Sequence, residues 1–319
     1  MNEQMMNQTQ NQSLFLKEIL NSLSEPQKKI SPKFLYDQKG SELYQKICDL
    51  QEYYLTRAEN KILKTYAHEM SRLIGPNSLI IEPGSGGADK VMHLLLRLNR
   101  VRAYIPIDIS MTSVQSLVKN FYQRLPKLEV IPLVADFTQI LSLPQIVSEH
   151  SGKKVIFIPG STAGNFPPEE MKKLFKHYID MCGGEAAFLI GIDLKKDPNL
   201  LQLAYDDSQG VTAAFNLNLL SRLNRDFRAK FNPSEFYHQA RYNGEEGRVE
   251  MHLVSKIDQA VNIDDQQIHL KKGESIHTES SYKYNIDEFC QHCGEINLRL
   301  RKYWKDPEQL FCMYYFETV

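Results

Sequence analysis

The residues best placed to do chemistry stand at the ends of apolar runs in the first half of the chain. The run Ser78-Leu79-Ile80-Ile81-Glu82 leads straight into Pro83-Gly84-Ser85-Gly86-Gly87. Glycine accepts positive φ and carries no side chain, so such a turn lets the backbone approach a ligand closely. The spacing is neither the GxGxxG dinucleotide fingerprint nor a phosphate loop. A short glycine turn of this kind suits an adenosine without phosphates. Asp108 ends the next apolar run, where a carboxylate can accept both ribose hydroxyls. Asp136-Phe137 ends a third, where the acid can take an adenine amino hydrogen while the ring packs on the base. A cationic sulfonium needs no phosphate-binding lysine. Together the turn, Asp108 and Asp136 point to S-adenosyl-L-methionine. NAD would use Gly84 and Asp108 in a similar way and is the rival from spacing alone.

Other reactive groups form weaker patterns. Cys290-Gln291-His292-Cys293 is a single CxxC with no second pair nearby. Structural zinc normally takes four ligands, so no metal is expected. Neither HExxH nor GxSxG occurs. The segment His277-Thr278-Glu279-Ser280-Ser281 alternates like a strand, which turns Glu279 and Ser281 to one side. That pair can grip an N–H-bearing ring from its edge. An edge strand with solvent-facing polar groups would read the same way.

The elements that must position these residues alternate strand and helix. Strands are expected at 78–82, 102–109, 128–135, 154–158 and 185–192. Helices are expected at 14–25, 41–50, 56–73, 88–98, 111–124 and 168–181. Thr56 with Glu59 three residues on reads as a capping box opening the third of these helices. Strands with mostly apolar interiors and helices between them imply a parallel sheet covered on both faces, which binds ligands beyond its C-terminal strand ends. Glu82, Asp108, Asp136, Asn165 and Asp193 fall at those ends. The pattern then changes: 197–230 reads as helix, and 248–257 and 266–281 as short strands. A helix at about 285–301 and a strand at 310–317 close the chain, the strand rejoining the first sheet.

Composition narrows the class. The chain has 319 residues, enough for one large domain or two moderate ones. Lys plus Arg is 38 and Asp plus Glu is 39, a net charge of -1, so bulk charge gives no reason to expect nucleic acid. No apolar run reaches the roughly 18 residues of a membrane span. The opening MNEQMMNQTQNQ lacks the pattern of a secretory signal and reads as a flexible leader. Five cysteines, an odd number, fit reduced thiols in a cytoplasm better than a disulfide framework. The 16 tyrosines suit a pocket for a small polar ligand as well as a core. A monomer is expected.

Several longer words carry a resemblance. SPKFLYDQKGSELYQKI, LQEYYLTRAE, EPGSGGADK, PIDIS, ADF, FIPGSTAGNF, AYDDSQGVTAAFNLNLL and IHTESSYKY follow one another from residue 31 almost to the end. In these the chain resembles the S-adenosylmethionine-dependent histidine N-alpha-methyltransferases of ergothioneine biosynthesis. The resemblance implies an α/β fold: a Rossmann-like class I methyltransferase sheet with a second α+β substrate-binding domain. It divides the chain into 1–57 (leader and first part of the substrate domain), 58–195 (methyltransferase core), 196–282 (substrate-domain insertion) and 283–319 (return to the core).

Roles follow residue by residue from the same resemblance. Gly84, Ser85 and Gly86 would line the methionine and ribose portion of the cofactor, with Lys90 near it. Asp108 would bind ribose, and Asp136 and Phe137 adenine. Asn165 and Tyr205 would hold the amino-acid carboxylate, and Tyr36 would approach the α-amino group as the catalytic residue. Tyr53, Glu279 and Ser281 would contact the imidazole, and Met251 would shape the side-chain pocket. The implied activity is N-alpha-methylation of L-histidine three times over, giving hercynine and S-adenosylhomocysteine. A relative acting on another amino acid or amine, or a non-enzymatic binder, is the alternative. The chain departs from the family at Pro83, in place of the leucine of an ELGSG, and at Ala163, where a larger aliphatic residue is usual.

Overall fold

A computed structural model describes residues 2–139 and 143–319, with side chains from residue 12 onward. In chain order the elements are α1 (Asn2–Leu23), α2 (Gln38–Asp49), α3 (Tyr54–Ile74), β1 (Leu79–Pro83), α4 (Asp89–Leu95), β2 (Ala103–Asp108), α5 (Met111–Arg124) and β3 (Leu133–Val134). Next come α6 (Gln145–Glu149), β4 (Lys154–Ile158), α7 (Pro168–Met181), β5 (Ala187–Asp193), α8 (Pro198–Leu203), α9 (Val211–Phe227), β6 (Phe236–Asn243) and β7 (Arg248–Ser255). Last are β8 (Gln259–Ile263), β9 (Gln266–Leu270), β10 (Ser275–Tyr282), α10 (Ile286–Gly294), β11 (Leu298–Lys305) and β12 (Phe311–Thr318). The chain divides into two compact units. The first comprises Met1–Tyr53 and Pro198–Ser280, the second Tyr54–Asp197 and Ser281–Val319.

The second unit is built on a seven-stranded sheet in the order β11-β12-β5-β4-β1-β2-β3. The five strands β1 to β5 pair in parallel, and β12 and β11 add an antiparallel hairpin beside β5. The chain runs outward from β1 through β2 to β3, then crosses back to β4 on the other side of β1. That reversal between β1 and β4 is the place where an open parallel sheet leaves a crevice for ligands. β1 and β5 are buried along their whole length, as continuous apolar runs in a two-sided sheet must be. Pro168 at the first position of α7, followed by Glu169 and Glu170, starts that helix cleanly.

The first unit holds α1, α2, α8 and α9 against a three-stranded sheet, β10-β7-β6, with the hairpin β8-β9 beside it. Asp37 accepts from the backbone N–H of Gly40 at 2.7 Å and so caps α2. The same carboxylate takes Asn218 Nδ2 and Arg225 Nη2, each at 2.8 Å, which ties the start of α2 to α9.

Several elements depart from the sequence reading. α1 begins at Asn2, inside the stretch expected to be a flexible leader; Met1 lies outside the described residues. β3 is two residues long rather than eight, because Pro132 removes a ladder donor next to it on the sheet's edge. The helix expected at 285–301 stops at Gly294, and Leu298 to Lys305 is a strand. Leu298, Arg299, Leu300 and Arg301 alternate with period two, and Asn297 with φ of 61° turns the chain between the two elements. α3 starts at Tyr54, so Thr56 and Glu59 do not form the expected capping box. Glu59 is instead fully buried within the second unit. The single helical stretch read at 197–230 is split into α8 and α9, and strands β6 and β8 had no counterpart in the sequence reading.

Candidate functional site

In the second unit the glycine turn follows β1 directly. Gly84 and Gly86 adopt φ of 69° and 45°. A Cβ on Gly84 would meet the Phe137 ring at 3.1 Å, whereas one on Gly86 would make only ordinary contact with the Gly84 carbonyl at 3.8 Å. Gly84 and Ser85 both donate to the Ile107 carbonyl, at 2.7 and 3.2 Å, which pins the turn to the end of β2. Asp108 completes the attachment, accepting from Gly86 N–H at 3.0 Å and from Ser110 N–H at 2.8 Å. Burial raises the Asp108 carboxyl above the ordinary carboxylate range, against these backbone hydrogen bonds. Asp136, past β3, accepts from Thr138 N–H at 3.0 Å and Thr138 Oγ1 at 2.6 Å. The neighbouring Phe137 ring stands edge-on to Phe166, with centroids 6.3 Å apart, and its carbonyl accepts from Tyr178 Oη at 3.0 Å. The sequence-derived cofactor residues thus share one edge of the sheet.

Two acids to which the sequence reading assigned no ligand contact, Glu59 and Glu82, are buried in the same unit. Glu59 Oε2 pairs with Lys90 Nζ at 2.7 Å, and the same carboxylate accepts from Gly160 N–H at 2.8 and 3.0 Å. A Cβ on Gly160 would stand 2.9 Å from Lys90 Nζ. Glu59 of α3 therefore ties Lys90, at the start of α4, to the turn after β4. Glu82 is buried and accepts from Tyr104 Oη. Burial pushes its carboxyl up to about 8, against that hydrogen bond and the charge of Lys90. Asp193, another strand-end acid, is enclosed rather than open. Tyr54 Oη donates to it at 2.9 Å, Lys283 Nζ pairs with it at 2.8 Å and Lys196 Nζ at 2.5 Å.

The donor set fits S-adenosyl-L-methionine on two observations. Ser85 Oγ is buried with no hydrogen-bond partner among the described residues, in the turn that would line the cofactor. The concave turn also has glycine where a side chain would either strike Phe137 or require positive φ. Asp108 retains lone pairs for ribose beside its two backbone bonds.

In the first unit, Tyr36, Tyr53, Tyr205, Met251 and Glu279 line one pocket. Ile47 and Tyr44 from α2, Ala204, and Thr212 and Phe215 from α9 complete its wall. Its volume is about 20 Å³, room for about one water. The rings meet edge to face: Tyr36 lies 5.5 Å from both Tyr44 and Phe215, and Tyr53 lies 6.0 Å from Tyr205. Tyr36 follows the short turn Pro32–Leu35 and immediately precedes the Asp37 cap, which fixes where its ring leaves the chain. Burial, then the negative charge of Glu279, drives the Tyr36 hydroxyl well above the usual phenol range. Burial does the same to Tyr44 and Tyr53. The pocket therefore offers neutral hydroxyls and one carboxylate.

Asn165 and Ser281 belong to the second unit. Asn165 is half-buried at the end of the short turn Thr162–Asn165 that follows β4. Ser281, expected at the side of Glu279, accepts from Lys283 Nζ at 2.8 Å and is not part of the pocket wall. Ala163, the smaller of the family departures, is buried next to Gly164, where a Cβ would stand 2.7 Å from the Tyr282 carbonyl. Tyr44, Ile47, Thr212 and Phe215 were missed from sequence. Their signal was helical spacing, Tyr44 with Ile47 and Thr212 with Phe215 at i, i+3, which reads equally as ordinary core.

Comparison with known proteins accords with this geometry. A family model described as "Histidine-specific methyltransferase, SAM-dependent" matches residues 15–318. A histidine N-alpha-methyltransferase of Mycolicibacterium smegmatis is 34% identical over 89% of this chain and 89% of its own length. The Mycobacterium tuberculosis protein of the same name is 31% identical over 91% and 90%. An Aspergillus flavus N-methyltransferase, imqF, is 24% identical over 91% of this chain and 81% of its own. With the match spanning nearly the whole chain, the protein belongs to the SAM-dependent, histidine-specific methyltransferase family.

Proposed function

We propose that the protein methylates the α-amino nitrogen of L-histidine with S-adenosyl-L-methionine, in three successive transfers ending at hercynine. The observation that carries the substrate is the pocket wall itself. Five residues assigned to the amino acid by resemblance, Tyr36, Tyr53, Tyr205, Met251 and Glu279, converge on one cavity within one unit. The first unit is then the substrate-binding domain and the second the methyltransferase core. This reading makes the protein a cytoplasmic, monomeric enzyme of a small molecule, and its near-zero net charge gives no reason to expect nucleic acid. No described helix is long and apolar enough to cross a membrane.

The cofactor supplies a methyl already activated on a sulfonium, so the protein needs no covalent nucleophile. The chain's own work is to hold, orient and exclude water. Gly84, Ser85, Gly86, Lys90, Asp108, Asp136 and Phe137 hold the cofactor. Tyr205 takes the substrate carboxylate. Glu279 accepts an imidazole N–H, which makes it a specificity anchor. Tyr36 receives the amino nitrogen at its neutral oxygen; with the hydroxyl held protonated, it orients the amine and is not a ready base. Each transfer adds bulk and, at the third, a fixed positive charge, which the surrounding aromatic faces accommodate. A pocket of about 20 Å³ is smaller than an imidazole, so its wall must open to admit substrate.

The test is mass spectrometry of the purified protein with S-adenosyl-L-methionine and histidine. Successive gains of one, two and three methyl groups are expected. Cofactor binding without any histidine product would reject the substrate, and a panel of amino acids and amines would then locate the true one.

A further inference from the structure

Two histidines outside the pocket wall sit on the same strands as Met251 and Glu279. His252 on β7 and His277 on β10 stack, with ring centroids 4.9 Å apart and planes 19° from parallel. His252 Nε2 is 3.0 Å from Glu250 Oε2, and its Nδ1 is 3.1 Å from Ser275 Oγ. Glu250 also accepts from Arg241, Asn243 and Arg248, at 2.9, 3.1 and 2.9 Å. Although burial opposes it, these hydrogen bonds hold the Glu250 carboxyl down at about 2. An anionic acceptor requires the hydrogen of His252 on Nε2. Its Nδ1 lone pair is then left for the Ser275 hydroxyl, and the ring is neutral.

His277 is held from both sides. Its N–H donates to the Lys28 carbonyl at 2.8 Å, and its own carbonyl accepts from Ile30 N–H at 2.9 Å. Its ring reaches forward along the strand. Nε2 is 3.0 Å from the main-chain oxygen of Glu279 and 3.1 Å from Ser280 Oγ. A carbonyl oxygen only accepts, so Nε2 carries the hydrogen. Burial, then the neighbouring His252, keeps this imidazole near 4, so it is a neutral single donor at ordinary pH. The bond fixes the peptide plane that follows Glu279, and with it the direction in which the Glu279 side chain leaves the strand.

We propose that His277, seated by the stacked His252, is a positioning residue that aims the Glu279 carboxylate and so sets the affinity for the histidine ring. This rests on the substrate reading above. The physical demand is strict: a hydrogen bond weakens steeply as its angle falls toward 120°. A displacement of about 1 Å can cost about a hundredfold in rate.

The test uses the full-length protein and two variants. His277→Phe keeps a ring to stack on His252 but deletes the N–H. His277→Gln puts an amide N–H near the position of Nε2. H277F is expected to raise KM for histidine about tenfold, with kcat and S-adenosyl-L-methionine affinity within about twofold of the parent, and H277Q is expected to recover most of the loss. Melting temperatures are measured alongside. A merely structural role would lower kcat, cofactor affinity and melting temperature together and would not be rescued by H277Q. That pattern overturns the proposal, as does an unchanged KM in H277F. An unaltered protein that methylates another amine and not histidine overturns the substrate reading and this proposal together. A histidine-active protein insensitive at His277 overturns the proposal alone.

Discussion

Removing the charge of Glu279 is the most discriminating perturbation of the pocket. The side chain is buried, and the cavity it faces holds about one water, so solvent cannot replace a lost acceptor well. A hydrogen bond to a charged group contributes about 1.5–3 kcal/mol, and a neutral one about 0.5–1.5 kcal/mol. At about 1.4 kcal/mol per decade, Glu279→Ala should lower kcat/KM for histidine roughly 10- to 150-fold. Glu279→Gln keeps a carbonyl acceptor of the same shape without the charge. It forfeits only the difference between the two kinds of bond, and its loss should fall between the parent and Ala. Glu279 charge also helps to hold the Tyr36 hydroxyl protonated, so both variants should relax that phenol toward its ordinary range. The assay is initial-rate mass spectrometry of methylated histidine at saturating cofactor, with S-adenosylhomocysteine titrated calorimetrically in parallel. Cofactor affinity falling in step with histidine use would refute the anchor role, as would equal activity of the three proteins.

Three further outcomes follow from the geometry. Asp108→Ala removes the proposed ribose acceptor and the partner of the Gly86 and Ser110 N–H groups, so calorimetry should show cofactor affinity at least about tenfold weaker. Unchanged titration would remove Asp108 from the cofactor site. Glu82 holds a proton in the folded state up to about pH 8 that the unfolded chain releases at ordinary carboxylate pH. Its contribution to stability is therefore complete at low pH and is lost as pH rises through about 8. Glu82→Gln mimics the protonated form and still accepts from Tyr104, so its advantage in melting temperature over the parent should grow from pH 5 to pH 9; parallel curves would contradict the raised carboxyl. Tyr36→Phe should slow methyl transfer yet leave the pH dependence of kcat/KM in place, because a phenol held protonated does not set it. A rising limb that disappears in the variant would make Tyr36 the base.

The parallel strands were legible because burial on both faces leaves no room for alternation. Leu79-Ile80-Ile81 and Val155-Ile156-Phe157 can be read as strands from apolarity and flanking breakers alone. The C-terminal hairpin was harder. Leu298-Arg299-Leu300-Arg301 carries a clear period of two, but it follows a genuine helix whose start, Asn285 with Glu288, is well marked. Continuing that helix past Gly294 required ignoring the alternation, and the alternation prevailed. The Thr56 and Glu59 pair misled for a related reason. A Ser or Thr three residues before a Glu satisfies the capping spacing anywhere, and only tertiary packing shows whether the Glu turns back to the helix start. Here it turns inward to Lys90 and Gly160.

The site divides along the same physical line. Glycines with positive φ and acids at strand ends are local consequences of a parallel sheet, so Gly84, Gly86, Asp108 and Asp136 could be placed once the strands were known. The pocket wall cannot be obtained that way. Tyr44 and Phe215 occupy helix stripes that would look identical if they packed against Leu, and Met251 and Glu279 are on strands 28 residues apart in sequence. What singles them out is that a carboxylate, four tyrosine hydroxyls and a thioether are enclosed together. That arrangement forfeits solvation, with burial driving the Tyr36 and Tyr53 hydroxyls well above the phenol range. A fold selected for stability alone would fill the same space with aliphatic side chains. On the proposed function, enclosing this much polarity against so small a void is the cost of recognising a small, polar, aromatic ligand, and the stacked His252 and His277, with His277 Nε2 bonded to the Glu279 carbonyl, extend that polar arrangement along the same strands.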